Sequence, residues 1–352
     1  MMDSIRLSHD KAIDVNQRAL LIAEISANHD RDINQALSLV DIAYEAGWDC
    51  LKLQTYTAES LTMLSNHPST KLDPIWGAKN LYELYKKNAM PMDFHKPLFD
   101  RANELGLVPF TTVYDPRDLE YTEDLGCEIY KISSFEMTYD DLLIEMAQTS
   151  KPLILSTGMA NIQEVDHALE VITQINCHGP LILLHCCSSY PAPIDEVNLC
   201  SIEYLNDRYS LPIGFSDHTL GSQVPIAAAS IGAVVIEKHF TNDNNRDGPD
   251  HRFSATPEIL KDIAEGVDTV FRARGQFRKA STKAEEKNKL VGRRSAFASR
   301  DLKIGTVLST NDFRYIRPGS GVPANDRKSL LNAVLVRSVL KGHPITYDDL
   351  KV

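Results

Sequence analysis

The chain has 352 residues, with 37 basic and 48 acidic side chains and a formal net charge of −11. This acidic balance disfavours a general affinity for nucleic acid or for anionic membranes, because both repel a negative surface. An anionic small molecule is still compatible with it, since a few local cations can line one cleft. The length exceeds the roughly 100–200 residues of a usual single domain and predicts one large domain with a small one.

The N-terminal segment, MMDSIRLSHDKAID, lacks the apolar core of a signal peptide, and no apolar run approaches the roughly 20 residues of a membrane span. The six cysteines are Cys50, Cys127, Cys177, Cys186, Cys187 and Cys200. They show neither a CxxC pair nor the regular spacing of a disulfide framework, and most lie in apolar segments. We therefore expect reduced cysteines in a cytoplasmic protein.

Short β-like runs alternate with helical stretches eight times along the chain, which predicts an α/β fold. The predicted strands are residues 20–26, 50–56, 108–113, 128–134, 152–158, 181–187, 212–219 and 234–240. Several are nearly continuous apolar runs, as in parallel strands that are buried on both faces. Gly47, Gly106 and Gly275 are placed to end three of the intervening helices. Eight such units over about 260 residues match the size of a (β/α)8 (TIM) barrel.

An open, doubly wound sheet is the alternative fold. Such a sheet normally carries a glycine-rich turn after its first strand. Here the first strand continues into SANHDRD at residues 26–32, so the barrel is favoured.

Two segments interrupt the regular alternation. Residues 57–92, between the second strand and its helix, are polar and aromatic, and long loops at this end of barrel strands usually cover the active site. Residues 279–290 are polar and charged, which is typical of a linker and leaves residues 1–278 for the barrel domain. Residues 291–352 hold short β-like runs separated by Gly and Pro, and they predict a small β-rich second domain.

Polar or charged residues lie at or just after the C-terminal end of every predicted strand. They are Glu24, Ser26, Asn28, Lys52, Gln54, Thr111, Thr112, Lys131, Ser134, Glu136, Ser156, Thr157, His185, Ser188, Tyr190, Ser216, Asp217, His218, Glu237, Lys238 and His239. A lone buried His or Lys is more often a core residue whose hydrogen bonds are satisfied. Polar residues at the ends of all eight strands are hard to explain by packing alone, since each buried charge needs a partner or a ligand. The sequence thus predicts a polar site at this end of the barrel.

His218 and His239 end the adjacent seventh and eighth strands, where their imidazoles can meet at one side of the barrel mouth. Two histidines, water and a substrate oxygen suit a divalent transition-metal ion. Asp217 and Glu237 are alternatives as ligands or as partners of the ligands. The competing interpretation is a pair of histidines that form hydrogen bonds without a metal.

Lys52 and Lys131 lie in the same predicted site, together with several serines. Cations and hydroxyl donors at the starts of loops and helices are the groups that bind phosphate and carboxylate. A lysine that forms a Schiff base is the alternative, but polar residues rather than a dry pocket follow both lysines. Glu24 and Glu136 can act as general acid or base, or orient a sugar hydroxyl.

The motifs at these positions resemble the sialic acid synthase family. In chain order they are LIAEISANH, LKLQTYTAESL, YKISSFE, ILSTGMA, SSYPAP, GFSDHTLG, VIEKHFT and GPDHRFS. The C-terminal run SAFASRDLKIGTVLSTNDFRYIRPGSG is similar to the antifreeze-like (SAF, β-clip) domain of that family. The resemblance covers nearly the whole chain, and so many ordered motifs make it specific.

The resemblance implies a condensation of phosphoenolpyruvate with the open-chain aldehyde of an N-acetylated amino sugar. C3 of phosphoenolpyruvate attacks the aldehyde, water traps the resulting oxocarbenium carbon, and phosphate leaves by C–O cleavage. A metal ion held by His218 and His239 is also implied, Mn²⁺ with Mg²⁺ or Co²⁺ as alternatives, which would polarise the aldehyde and orient the water. Glu24 is implied as the acid/base group.

The same motifs imply the substrate-binding residues. For the phosphate of phosphoenolpyruvate they are Lys52, Ser156, Ser188 and Ser216, with Thr112, Lys131 and Ser134 near its carboxylate. For the sugar they are Gln54, Glu136, Tyr190 and Asp250. Two positions depart from the family pattern. Cys187 stands where the family often has Thr, and Ser188 stands where the neuraminic acid branch has Asn, which puts the share of Ser188 in phosphate binding in question.

Arg317, in IRPGSG, matches a family arginine that reaches from the SAF domain of one subunit into the barrel of the other. That match implies a domain-swapped homodimer. Without it, a surface arginine before a Pro-Gly turn would be the simpler interpretation.

Within the family, WGAKNLYELYKK followed by MDFHKPLFD most resembles the pseudaminic acid synthase branch, whose sugar is 2,4-diacetamido-2,4,6-trideoxy-L-altrose. This 6-deoxy sugar has a methyl group where N-acetylmannosamine has a hydroxyl, and Trp76, Tyr82 and Tyr85 are candidates for an apolar wall beside it. The legionaminic acid and N-acetylneuraminic acid synthases are alternatives with the same chemistry. A non-catalytic sugar-binding barrel is the alternative from another class, although such a protein would not need Glu24 and both histidines.

Overall fold

The computed structural model describes residues 4–6, 12–14, 17–65, 67–72, 78–175, 179–275 and 278–351. The chain forms two compact units, Met1–Gly275 and Gln276–Val352. Each unit encloses a hydrophobic core of its own. No helix in the described part of the chain is long and apolar enough to cross a membrane.

Eight parallel strands close into a barrel in the first unit, which confirms the predicted (β/α)8 fold. The strands are β3 (Leu20–Glu24), β4 (Cys50–Thr55), β5 (Val108–Val113), β6 (Tyr130–Ile132), β7 (Leu153–Ser156), β8 (Leu181–Cys186), β9 (Ile213–Asp217) and β10 (Val235–His239). Consecutive strands are neighbours, and β10 pairs with β3 to close the barrel. A short antiparallel pair that the sequence did not predict, β1 (Ser4–Arg6) with β2 (Ala12–Asp14), precedes them.

The helices of the first unit surround this barrel or lie in its loops. They are α1 (Ile33–Glu45), α2 (Ala58–Leu61), α3 (Leu81–Asn88), α4 (Met92–Leu105), α5 (Leu119–Asp124), α6 (Asp140–Gln148), α7 (Ile162–Gln174), α8 (Cys200–Arg208), α9 (Gln223–Ser230) and α10 (Pro257–Arg274). Local sequence sets their ends. Asp32 caps α1 by accepting from the backbone N–H of Asn34, and Gly106 ends α4 in the left-handed conformation that glycine adopts readily.

The second unit is small and contains an antiparallel pair of strands, in agreement with the predicted β-rich domain. Its elements are α11 (Glu286–Gly292), β11 (Ser295–Ala298) and β12 (Phe313–Ile316). The segment with linker-like composition, 279–290, is exposed throughout and includes the start of α11.

Side chains alternate along each barrel strand, and this alternation decides which polar residues can enter a central site. On β10, Glu237 and His239 belong to the interior set, whereas Lys238 belongs to the outer set. There the ammonium of Lys238 lies 2.5 Å from the Asp217 carboxylate of β9. This ion pair on the outer face therefore joins the ends of β9 and β10, whose inner residues face the barrel axis.

Candidate active site

The barrel interior holds a buried cluster of charges formed by Glu24 of β3, Lys52 of β4 and Glu237 of β10. The Lys52 Nζ lies 2.7 Å from Glu24 Oε2 and 3.3 Å from Glu237 Oε1. It also donates to Thr112 Oγ1 over 3.3 Å, and Ser216 Oγ donates to Glu237 Oε1 over 2.9 Å. All five residues are buried, so the charged groups of the cluster must be stabilised chiefly by one another.

The two carboxylates of this cluster differ in proton affinity. Burial, assisted by the negative charge of Glu237, raises the pKa of Glu24 to about 7 although Lys52 opposes the shift. Burial acts on Glu237 in the same sense, but Lys52 and Lys131 outweigh it and hold the pKa of Glu237 below its usual value. The proton of the pair therefore resides on Glu24 near neutral pH, which suits a group that exchanges protons with a substrate.

Lys131 of β6 lies on the same inner surface, and its positive charge is less completely neutralised by carboxylates than that of Lys52. Its Nζ donates to Ser156 Oγ over 2.7 Å and to the carbonyl of Ile132 over 3.0 Å. Burial lowers the pKa of Lys131 to about 8 despite the attraction of Glu237. An ammonium carries three protons, so one remains for a ligand, and Lys131 is still largely cationic at pH 7.

A small cradle beside Lys131 is formed by Ser134, Gly158, Cys186 and Ser188. The backbone N–H of Gly158 donates to Ser134 Oγ over 3.0 Å, and that oxygen lies 3.1 Å from Cys186 Sγ. A Cβ on residue 158 would lie 2.2 Å from Ser188 Oγ, so only glycine leaves this space open. The cradle presents hydroxyl donors next to a buried cation, which is a suitable environment for an anion.

His218 and His239 lie together with their ring centroids 5.3 Å apart, as their strand positions predicted. His218 Nδ1 donates to the carbonyl of Cys187 over 2.8 Å, which leaves the lone pair on its Nε2. His239 Nδ1 is buried and has no hydrogen-bond partner among the described residues. Burial lowers the pKa of both histidines, that of His239 well below its usual value, so both imidazoles are neutral.

This pair fits an open divalent-cation site, because neutral imidazoles with available lone pairs are metal ligands. Within the described residues no group of three His, Cys, Asp or Glu side chains is placed to hold a metal. A bound ion would consequently take its remaining ligands from water and substrate. Asp217, the alternative ligand in the sequence, is occupied on the outer face by Lys238 and by the N–H of Thr219.

The predicted sugar-binding residues adjoin the charge cluster on the side of β3 and β4. Gln54 donates to Glu24 Oε1 over 3.0 Å and to Ser26 Oγ over 3.2 Å. The Ser26 hydroxyl donates in turn to the Asp250 carboxylate, whose pKa is raised by burial. Tyr190 packs on the other side, with its ring centroid 4.3 Å from that of His218.

Glu136 is the predicted sugar-site residue that lies apart from the charge cluster. Its carboxylate accepts from the Ser133 hydroxyl, and burial raises its pKa while Lys131 opposes the shift. The hydroxyl of Ser133 satisfies one oxygen, which leaves the other able to meet a substrate hydroxyl.

Several polar strand-end residues serve the barrel rather than the site. His185 Nε2 donates to the carbonyl of Val197 over 2.7 Å, and Thr157 Oγ1 donates to that of Leu184 over 3.1 Å. Thr111 is hydrogen-bonded to Thr55 over 2.8 Å. These residues alternate with the inner ones, so the period of two separates the two groups.

The predicted wall of the long loop is only partly seen. Trp76 lies outside the described residues. Tyr82 donates its hydroxyl to the exposed Glu59, whereas Tyr85 packs edge-on against Tyr56 with ring centroids 6.1 Å apart. Arg317 belongs to the second unit, where it is exposed and forms no ion pair with another described residue.

Three further residues of the site were not predicted. Tyr56 and Tyr114 follow directly after β4 and β5, and Gly158 follows β7. Each is two positions beyond an inner-facing residue, namely Gln54, Thr112 and Ser156. Continuing the strand alternation by one step past the strand end would have found all three.

Comparison with known proteins agrees with this arrangement. The NeuB family model matches residues 39–279, and the SAF domain model matches residues 293–351. The chain is 35% identical to the pseudaminic acid synthase of Helicobacter pylori, over 94% of this chain and 97% of that protein. It is 34% identical to the N,N'-diacetyllegionaminic acid synthase of Campylobacter jejuni, over 92% of this chain and 97% of that protein.

A solved structure supports the same family assignment. The N-acetylneuraminic acid (sialic acid) synthetase of Leptospira borgpetersenii superposes with a TM-score of 0.72 at 29% identity, covering 81% of this chain and 94% of that one. The resemblance drawn from the ordered motifs is thereby confirmed. The chain belongs to the NeuB family, the family of the sialic acid synthases, and carries a SAF domain at its C-terminal end.

Proposed function

We propose that the protein is a pseudaminic acid synthase, which condenses phosphoenolpyruvate with the aldehyde of 2,4-diacetamido-2,4,6-trideoxy-L-altrose. Synthases of the NeuB family condense phosphoenolpyruvate with sugars, which indicates an enzyme of the transferase type. The observation that carries the proposal is the buried inner surface on which Lys52 and Lys131 face Glu24. It combines anion binding with a carboxyl group that holds a proton near neutral pH.

Phosphoenolpyruvate would bind across β4 to β9. Lys52, Ser156, Ser188 and Ser216 would hold the phosphate, and Thr112, Lys131 and Ser134 would hold the carboxylate. Ser156 already contacts Lys131, and Ser216 contacts the cluster through Glu237, so hydroxyls and cations converge on one region. Charge-assisted hydrogen bonds of this kind are the strong ones.

Proton transfer in the proposed reaction requires one group with two roles. When C3 of phosphoenolpyruvate bonds to the aldehyde carbon, the aldehyde oxygen becomes a hydroxyl and takes a proton, which Glu24 can donate. When water then bonds to C2, it must lose a proton, which the ionised Glu24 can accept. Phosphate then leaves as its C2–O bond breaks, while the new C2 hydroxyl becomes a keto group and its proton goes to the departing phosphate. Gln54 keeps the Glu24 carboxyl in position throughout.

We also propose that His218 and His239 hold a divalent cation, Mn²⁺ with Mg²⁺ or Co²⁺ as alternatives. The unpartnered Nδ1 of His239 and the fixed tautomer of His218 support this assignment. Such an ion, when bound, acts as a Lewis acid toward an aldehyde oxygen. Tyr190 contacts both rings, with its ring centroid 4.3 Å from that of His218 and 6.0 Å from that of His239.

The proposed assembly is a domain-swapped homodimer in which Arg317 of the partner subunit completes the sugar site. Large apolar side chains are exposed on four neighbouring loops at the barrel mouth, namely Phe135, Met159, Ile194 and Leu220. Such a rim favours a covering surface over bulk water. A second copy of the chain is the occupant we propose, because Arg317 is exposed and its guanidinium forms no ion pair with another described residue.

The proposed compartment is the cytoplasm. None of the five described cysteines forms a disulfide bond with another described residue, and Cys186 lies inside the anion cradle. Free buried thiols are expected where the cell keeps cysteines reduced.

A legionaminic acid synthase is the second candidate, because the Campylobacter jejuni relative is nearly as similar as the Helicobacter pylori one. Phosphate release from phosphoenolpyruvate, measured with each candidate sugar, distinguishes them. We expect the highest kcat/KM with 2,4-diacetamido-2,4,6-trideoxy-L-altrose. Turnover of N-acetylmannosamine alone would contradict the pseudaminic assignment. Absence of phosphate release with every sugar tested would leave only a binding barrel.

Replacing Glu24→Gln removes the proposed proton donor and acceptor. We expect kcat to fall by about 10²- to 10⁴-fold, with the KM for phosphoenolpyruvate nearly unchanged. Since the protonated form of Glu24 starts the reaction, kcat/KM of the unaltered enzyme should fall as pH rises through about 7. That falling limb should disappear in Glu24→Gln and persist in the exposed control Glu59→Gln.

Replacing His239→Ala removes one of the two proposed metal ligands. We expect activity to fall by about two orders of magnitude and the remainder to be insensitive to chelator. The unaltered enzyme should lose activity to chelator and regain it with Mn²⁺. His167→Ala, at an exposed histidine of α7, is the matched control. Full activity of His239→Ala without added metal would exclude the metal site.

The proposed swap can be tested by coexpressing two impaired variants and assaying them at a sugar concentration below the KM. Arg317→Ala is expected to raise the KM for the sugar, while Arg314→Ala, in the adjoining strand β12, should not. Coexpressed with Glu24→Gln, Arg317→Ala should recover about a quarter of normal activity, because a mixed dimer contains one intact barrel served by one intact arginine. If each arginine serves its own barrel, no activity returns.

A further inference from the structure

The barrel interior continues above the polar site as a layer of aromatic side chains. Tyr56 and Tyr114 are the residues directly after β4 and β5, whose last paired residues are Thr55 and Val113. They are two positions beyond Gln54 and Thr112, so the alternation places them over the inner surface. The two tyrosines therefore border the opening of the site on the side opposite the paired histidines.

The rings of this layer pack against one another. Tyr56 and Tyr114 meet edge-on with centroids 5.3 Å apart, and Tyr85 of α3 meets Tyr56 edge-on at 6.1 Å. Tyr56 is only 7% exposed. Edge-on packing fixes the orientation of each ring, so the three tyrosines present a defined surface rather than mobile side chains.

The hydroxyls of Tyr56 and Tyr114 are available to a ligand. Neither forms a hydrogen bond to another described residue, although each lies in a crowded polar environment. Burial raises the pKa of both, with a further contribution from Asp250 at Tyr56 and from Glu136 at Tyr114. Those two carboxylates are the ones assigned to the sugar, so the unused hydroxyls border the same space.

We propose that Tyr56 and Tyr114 are specificity-determining residues of the sugar pocket, with their rings against the methyl groups of an N-acylated deoxy sugar and their hydroxyls donating to its oxygens. The assignment rests on the proposed condensation with such a sugar. Of the described residues of the wall expected from the long loop, Tyr82 donates to Glu59 and Tyr85 supports the layer through Tyr56.

Arg31 holds this layer in place from behind. Its guanidinium donates to the carbonyl of Ala89 over 2.8 Å and to that of Lys86 over 3.3 Å, at the C-terminal end of α3. A cation is favourable at this end of a helix, where carbonyls are unpaired. Arg31 does so from a left-handed conformation, φ 56°, which a non-glycine residue adopts at a cost. We therefore assign Arg31 as the positioning residue of the layer.

The test is steady-state kinetics of Tyr56→Phe and Tyr114→Phe, which keep the rings and remove the hydroxyls. With 2,4-diacetamido-2,4,6-trideoxy-L-altrose we expect the KM for the sugar to rise about three- to tenfold in each, as for one lost hydrogen bond. The KM for phosphoenolpyruvate should stay within about twofold, because the anion cradle is untouched. Tyr82→Phe, in helix α3, is the matched control and should change neither the KM for the sugar nor the KM for phosphoenolpyruvate.

Arg31→Gly separates positioning from stability. It relieves the left-handed strain, so the melting temperature should be unchanged or higher, while the KM for the sugar rises as in the tyrosine variants. Arg31→Lys, which keeps a cation for the same carbonyls, should recover part of the loss. A lower melting temperature with an unchanged KM would show a purely structural role.

The outcomes separate this inference from the function on which it rests. If the unaltered enzyme releases no phosphate with any of the sugars, the proposed function fails and the assignment fails with it. If the unaltered enzyme turns over the sugar and both phenylalanine variants keep its KM, the assignment alone is wrong. An equal rise in the KM for phosphoenolpyruvate would also overturn it, since the tyrosines would then act on the anion cradle.

Discussion

The site depends on one imbalance of buried charge. Lys52 lies between two carboxylates, and a single ammonium cannot neutralise both in a medium that excludes water. The pair therefore shares its charge unevenly, and the proton stays with Glu24 while Glu237 remains ionised. A bound anion would add negative charge beside Glu24 and favour its protonated form further. Under the proposed function, anion binding would thus prepare the acid, and the two roles of the inner surface would be physically linked.

The alternation of barrel strands explains why so much of this site could be predicted from the sequence. All eight strands were predicted from short β-like runs, several of them nearly continuous and apolar, and most inner polar residues fell at their ends. The alternation separates two sets of residues, but it does not say which set faces the barrel axis, because the outer face also holds buried polar pairs such as Lys238 with Asp217. Both sets contain the same polar residue types, so the sequence does not distinguish them. Only the closed barrel places Glu237 toward its axis and Lys238 on its outer face.

Other features escaped prediction for different physical reasons. The strands β1 and β2 have three residues each, too few to show a period. Tyr56 and Tyr114 lie beyond the paired strand ends, where an aromatic residue is usually attributed to loop packing. The tautomer of His218 depends on the carbonyl of Cys187, a contact that no pattern in the sequence encodes. In each case a tertiary contact, rather than local propensity, determines what the residue does.

The loop after β3 shows how such contacts are maintained. Ser26, Asp30 and Arg31 all adopt left-handed conformations that cost about 1–3 kcal/mol each for non-glycine residues. Each is held by a contact to a different part of the rim: Ser26 to Asp250, Asp30 to His251 over 2.8 Å, and Arg31 to the end of α3. The strain is offset only while those contacts persist, so this loop stiffens the sugar side of the pocket. The predicted anion-binding residues lie on strands β4 to β9 or directly after them. Under the proposed function, the strands would keep the anion surface fixed while the residues of the β3 loop and the tyrosine layer determine which sugar is accepted.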